Sequence, residues 1–271
     1  LIDSLSSQDT TRLYLLKDVN LNLNNYSYAT PDSMYHINVN QLSFNASSGI
    51  VNIKEFGLIP RYSEKEFPKV NGYARDRFMI KLNNISLNGL NLPAYLQKRE
   101  LIAKQMNIAD GGISVSYPNL VRVKTGRFPH QLLQLFNTKL TIEQINLKNI
   151  DVSYAEFDRD SKHRGEITFN HTSGSITNVT NVAKIKAKNN FMEVDLVTYV
   201  MQEGKMDVNF KFDLNSPLGA FDYRGRLIDL DGKKLNQITK PLGMVQVKKG
   251  TINELVFDIK ANQDVAKGTL D

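Results

Sequence analysis

The stretch "KLTIEQINLKNIDVSY" (139–154) spaces its apolar residues Leu140, Ile142, Ile145, Leu147, Ile150 and Val152 at alternating separations of two and three. The same series recurs in "MIKLNNISLNGLNL", at Ile80, Leu82, Ile85, Leu87, Leu90 and Leu92. An amphipathic helix repeats every 3.6 residues and a half-buried strand every two, so neither accounts for the rhythm. Two devices bring residues three apart onto one face of a sheet. A two-residue hairpin loop sets its flanking residues opposite each other. A β-bulge absorbs one residue, after which the strand regains its facing. The pattern therefore predicts a bulge between Ile142 and Ile145 and a tight turn at Lys148-Asn149, pairing Leu147 with Ile150 and Ile145 with Val152. In the second copy Asn88-Gly89 takes the turn. Looser fragments recur in "VNLNLNNYSY", "VNIKEFGL", "MNIADGGISVSY" with a turn at Asp110-Gly111-Gly112, and "VQVKKGTINELVFDIKA" with Gly250 near its turn.

Elsewhere the period is two. "GKMDVNFKFDLN" places Met206, Val208, Phe210 and Phe212 on one face and Asp207, Asn209, Lys211 and Asp213 on the other; "HINVNQLSFNA" and "GEITFNH" read alike. Three short stretches read as helices: "LPAYLQKRELIA", "PHQLLQLF", and "GKKLNQITKPL" ending at Pro241. The fold class is mainly β: a curled antiparallel sheet of bulged hairpins, groove or sandwich-like, with a few short helices. Periodicity favours two sheets closing as a sandwich, while repeated bulges favour one curled sheet with an apolar channel. Residues 1–271 read as one elongated β-rich unit, with a possible sub-boundary near 118–138. Because the chain starts at Leu1 and "KGTLD" stops within an expected strand, it reads as a segment of a longer protein.

Composition changes this picture little. The 271 residues are 41% hydrophobic and 23% charged, no apolar run approaches the length of a bilayer span, and cysteine is absent. Absence of cysteine excludes disulfides and thiolate chemistry. A net charge of +6 permits an anionic partner. In "AKIKAK" Lys184, Lys186 and Lys188 alternate with small or apolar residues, reading as one strand face that is either solvated or in contact with lipid headgroups. Nucleic acid is not expected, since no basic helix or aromatic RNA-binding motif accompanies the charge.

Candidate chemistry is sparse. His36, His130, His163 and His171 show no short ligand spacing and read as exposed loop residues, although His163 and His171 flank an expected strand. Glu156, Asp158 and Asp160 form a polar loop or, less simply, a carboxylate pair of the kind used in glycoside hydrolysis. No phosphate-cradling or nucleophile motif is present. No catalytic residue, metal site or cofactor is expected.

Two long stretches carry a family resemblance. "LTIEQINLKNIDVSYAEFDRDSKHRGEITFNHTSGSITNVTN" is similar to the segment of AsmA-like bacterial envelope proteins that pairs a bulged hairpin ending in Tyr-x-Glu with a Gly-x-Ile-x-Phe strand. "FKFDLNSPLGAFDYRGRLIDLDGKKLNQITKPLGMVQVKKGTINELVFDIKANQDVAKGTLD" resembles their C-terminal region, and "GLIPRYSEKEF" with "NGYARDRFMI" resembles the upstream part of the Bacteroidetes-type branch. The resemblance implies a non-enzymatic, periplasm-facing module anchored to a membrane by a segment outside this sequence. As in the AsmA/TamB-like group, it would bind or pass phospholipid or another lipid along an apolar β groove. Ile142, Ile145, Leu147, Val152, Phe169, Phe210, Phe212, Ile252, Phe257 and Ile259 would then contact acyl chains, and Lys184, Lys186 and Lys188 the headgroups. For each of the ten the alternative is an ordinary core position. A second function is a β-scaffold that engages another envelope protein through a free strand edge.

Overall fold

A computed structural model describes residues 19–117, 127–158 and 163–271. Its strands, in chain order, are β1 (Asn20–Leu23), β2 (Tyr26–Ala29), β3 (Tyr35–Asn45), β4 (Ile50–Pro60), β5 (Arg77–Asn88), β6 (Glu100–Tyr117), β7 (Lys139–Phe157), β8 (Arg164–Thr180), β9 (Phe191–Val200), β10 (Gly204–Asp213), β11 (Phe221–Asp231), β12 (Thr251–Ala261) and β13 (Ala266–Leu270). All join one curled sheet that does not close. From β3 to β13 sequence order is spatial order; β1 and β2 lie end to end along the outer edge of β3. Among the described residues there is no second sheet, so the sandwich alternative falls away.

Neighbouring strands are antiparallel with one exception, the parallel pair of β6 and β7. A parallel pair needs a crossover of a dozen or more residues, which the chain from Tyr117 to Lys139 supplies. Glu100 lies opposite Lys139 and Tyr117 opposite Glu156, so the offset stays constant along the whole pair. Like side chains consequently stack: Asn146 Nδ2 donates to Asn107 Oδ1 at 2.8 Å, and Ser153 Oγ donates to Ser114 Oγ at 3.0 Å. Of the expected sub-boundary, residues 118–126 lie outside the described residues. The strands on either side of it pair directly, and the sheet passes across unbroken.

The odd rhythm has a different origin from the one expected. β7 is a single strand of 19 residues with no hairpin at Lys148-Asn149. Asp110-Gly111-Gly112 lies inside β6, and Asn88-Gly89 ends β5 ahead of a helix. What gathers residues three apart onto one face is a corner that neighbouring strands take at the same level. Leu23 and Tyr26, Leu42 and Val39, Ile53 and Phe56, Ile85 and Leu82, and Leu147 and Ile150 step together across β1 to β7. Left-handed residues mark the corners: Asn25, Gln41, Asn84, Asp110, Asn149 and His171 have φ between 50 and 64°. Asn and Asp tolerate this conformation because their short side chains bond locally. Here Asn149 Nδ2 donates to Asp110 Oδ1 at 2.7 Å, and Asn149 Oδ1 meets His171 Nδ1 at 2.7 Å. Between β7 and β8 two irregularities, Leu147/Ile150 and Ile150/Val152, cancel, and the register resumes.

A second corner explains Ile142 and Ile145. They share one hydrophobic cluster, but no residue is inserted between them: β7 holds its register against both neighbours. Ala103 and Met106 in β6 and Val179 and Ile176 in β8 make the same three-residue step, with Asn178 left-handed at φ 57°. A bulge in one strand is unnecessary when its neighbours turn with it.

The helices are short: α1 (Phe67–Asn71), α2 (Leu92–Lys98), α3 (Pro129–Gln134), α4 (Ala183–Lys186) and α5 (Asn236–Gly243). α2 stops at Lys98, capped by left-handed Arg99, and the "ELIA" expected to continue it opens β6. α5 runs through Pro241 to Gly243 rather than ending at the proline. "AKIKAK" forms α4 and its cap, not a strand. On a helix, residues two apart diverge by about 200°, so the three cations do not share a face. Lys184 and Lys188 are exposed, while Lys186 Nζ turns in to donate to Gln134 Oε1 at 2.8 Å and Leu214 O at 3.3 Å.

Candidate functional site

Successive pairings trace levels across the sheet. One level reads Leu23, Leu42, Ile53, Ile85, Ile108, Leu147, Gly174, Leu196, Val208, Gly225, Phe257 and Leu270. Two residues along each strand, a second reads Leu21, Phe44, Val51, Leu87, Met106, Ile145, Ile176, Val194, Phe210, Tyr223, Ile259 and Gly268. Every member is apolar, aromatic or glycine. The level between them points to the opposite face and reads Asn22, Ser43, Asn52, Ser86, Asn107, Asn146, Ser175, Asp195, Asn209, Arg224, Asp258 and Thr269, polar throughout. At about 4.8 Å per strand, the two apolar levels run about 50 Å across the strands.

Helices cover the ends of this apolar face. Phe67 of α1 is fully buried against Met34 and Tyr35. Leu133 of α3 packs on the cluster of Ala103, Ile142, Val179 and Met192. At Gly165 an added Cβ would lie 2.7 Å from Leu242 Cγ, so α5 needs glycine beneath it. Among the described residues most members of the two long levels are half-buried: of the second, Val194 alone is buried, and of the first, Ile85, Ile108, Val208 and Phe257. A closed core would bury them all. On the outermost described strands Leu21 is 54% and Leu270 65% exposed.

The ten residues expected to contact lipid divide by position. Ile145, Phe210 and Ile259 lie on the second level, Leu147 and Phe257 on the first. Ile142 and Phe212 belong to the cluster that α3 touches. Val152 lies across the first corner, and Phe169 and Ile252 pack toward the α5 end with Leu230 and Leu235. Sequence reasoning omitted most other members of the levels, Leu42, Ile53, Met106, Ile176 and Tyr223 among them. Their alternation was visible in the sequence; the register that aligns them was not. Tyr223 joins Phe210, Phe212 and Phe221 in a block of rings with centroids 5.3–5.7 Å apart, near-parallel or tilted.

Titratable groups gather at the α5 end of the same face. Tyr154 and Glu156 share the facing of Val152, and Tyr154 Oη donates to Glu156 Oε2 at 3.2 Å. Burial first, and Glu156 second, push the Tyr154 hydroxyl far above its ordinary range. Burial, then the charge of Glu156, also raises the Asp76 carboxyl. His130 is not an exposed loop residue: it is 1% exposed on α3, packed 4.8 Å from the Phe212 ring, and burial lowers its pKa so that the imidazole is neutral. His36 and His171 lie inside strands. His163 and His171 are eight residues apart along β8 and its approach, about 26 Å, and do not meet. Asp160 lies outside the described residues. Among the described residues no three His, Asp or Glu side chains converge on a common point.

Fold and face together define a class: an open, curled β-sheet protein whose apolar face is only partly covered among the described residues. No family model and no curated protein matches the chain.

Proposed function

We propose that the chain is a non-enzymatic module of the bacterial cell envelope, of the AsmA-like kind, that shelters phospholipid acyl chains along its apolar levels. In the periplasm it would be held at a membrane by an anchor outside this sequence. The carrying observation is the pair of apolar levels that cross twelve strand positions and, among the described residues, remain mostly half-buried rather than closed over. At about 0.8 kcal/mol per buried CH₂, one long acyl chain contributes on the order of 10 kcal/mol before the costs of ordering it. Such binding asks for length and apolar area and for no fixed polar constellation. Organic extraction and native mass spectrometry of the purified chain test the reading. Co-purifying lipid, reduced when Ile145 and Phe210 are both changed to Asn, is expected; a lipid-free protein that also takes up no fluorescent phospholipid overturns it.

A second reading is a scaffold that engages another envelope protein by adding a strand to the sheet. Among the described residues β13 and Asp271 cover β12 from Val256 to Ala261, and no described strand pairs with Thr251–Leu255 on that side. Unpaired backbone of this kind accepts an added strand. Crosslinking from Asn253 in cells that captured one protein and no lipid would favour it.

A further inference from the structure

We propose that the α5 end docks on an anionic phospholipid bilayer, with Met244 and Val245 entering the interface and Lys240, Lys248 and Lys249 contacting headgroups. Between Gly232 and Asn253 the chain carries five lysines and no acidic residue. All five are exposed, and Lys234 alone is ion-paired among the described residues, to Glu203 at 3.6 Å. Amid these cations stand two apolar side chains turned to solvent, Met244 at 80% and Val245 at 59% exposure.

They are held there by a built loop. Asn236 closes its base twice: Nδ2 donates to Val247 O at 2.9 Å, and Val247 N donates to Oδ1 at 2.7 Å. Gly232 N donates to Gly250 O at 2.9 Å, and left-handed Met244 caps α5 through Thr239 O. Leu242 packs at Gly165, while among the described residues Met244 and Val245 stay exposed. Apolar tips ringed by cations match a bilayer surface, where hydrocarbon lies beneath anionic headgroups. This goes beyond the groove reading: a chain that carried no acyl chain would still dock.

Flotation of the full chain with vesicles of phosphatidylcholine, alone or mixed with phosphatidylglycerol, tests it. Binding is expected to the mixed vesicles only and to weaken as salt rises. Changing Lys240, Lys248 and Lys249 together to Gln should weaken it on the order of a hundredfold, and M244S with V245S by about tenfold. All these positions are exposed, so the thermal midpoint should not move. Equal binding by the triple variant, or equal binding to neutral vesicles, overturns the proposal. So does binding to duplex DNA as tight as to vesicles and indifferent to M244S/V245S, which would give the cations to a nucleic acid. Absence of co-purifying lipid with vesicle binding intact counts against the groove alone; failure to float with co-purifying lipid present counts against docking alone.

Discussion

The region β1–β8 and the pair β9–β10 belong to one sheet and build their apolar face differently. From β1 to β8 the strands turn corners together, marked by left-handed Asn, Gln, Asp and His residues, and the apolar spacing shifts from two to three at each corner. β9 and β10 pair in unbroken register from Phe191 to Val200 and carry strict alternation. The contrast shows that a three-residue step is a collective property. One strand making it alone would lose register; several making it at one level bend the sheet, and the pairing resumes in the same register beyond the corner. The cornered region packs a buried cluster of Ile85, Ile108 and Ile150, whereas the plain region sets half-buried rings, Phe210 and Phe212, beside buried Met192, Val194, Val200 and Val208.

Substitutions at two glycines inside the cornered region give the largest effect and test how rigid its corners are. Gly174, at φ 152°, would bring a Cβ to 1.9 Å from Asp195 O, while Gly112 has nothing nearer than Asp151 O at 3.7 Å. Gly174→Val should lose more than about 4 kcal/mol in urea denaturation or fail to fold, and Gly112→Ala less than about 1 kcal/mol. Comparable losses at both would mean the corner is not rigid. Next comes packing. Ile150, 1% exposed, should cost about 3 kcal/mol as Ala. Phe210→Ala, from a half-buried ring, should cost about 1–2 kcal/mol despite its greater size. A reversed order would indicate that the ring block, and not the corner, is the true core.

Backbone conformation gives a smaller effect. Asn149→Val places a β-branched residue at φ 53° and should cost about 1–3 kcal/mol. Asn209→Val, in regular β10, should stay within about 0.5 kcal/mol. Acidity sharpens the comparison at the end of the cornered region. Burial and Glu156 raise the folded-state pKa of Asp76 above its ordinary 3.8. Its contribution is therefore full below pH 3.8 and is lost as pH rises through the folded value. Asp76→Asn should flatten that limb and raise the thermal midpoint at neutral pH; an unchanged profile would show that Asp76 is solvated. The smallest effect belongs to the exposed pair of Arg226 and Glu254, whose loss through Glu254→Gln should stay below about 0.5 kcal/mol.

Much of this was legible. The β class, the alternation of β10, the start of α3 at Pro129 and the apolar series of β7 follow from local pattern. The corners read as hairpins because Lys-Asn and Asp-Gly dipeptides serve a left-handed corner as well as a two-residue turn, and one strand's sequence does not distinguish them. "AKIKAK" misled because six alternating residues are too few to separate a strand from one helical turn. The parallel pair was missed although "QMNIADGGISVSY" and "QINLKNIDVSYAE" align residue for residue, since a hairpin reading of each copy concealed their stacking.

What the chain's own order of residues determined is which side chains share a face. Parity along a strand is local, and it separated Leu, Ile and Phe from Asn, Ser and Asp before any partner was known. Tertiary structure decided the rest: whether a three-residue step turns back or turns a corner, which pair runs parallel, and how much of the apolar face stays uncovered. Each depends on what lies beside a residue at the same level of a neighbouring strand or above it in another layer, and that adjacency is set by pairing energies summed over the whole sheet.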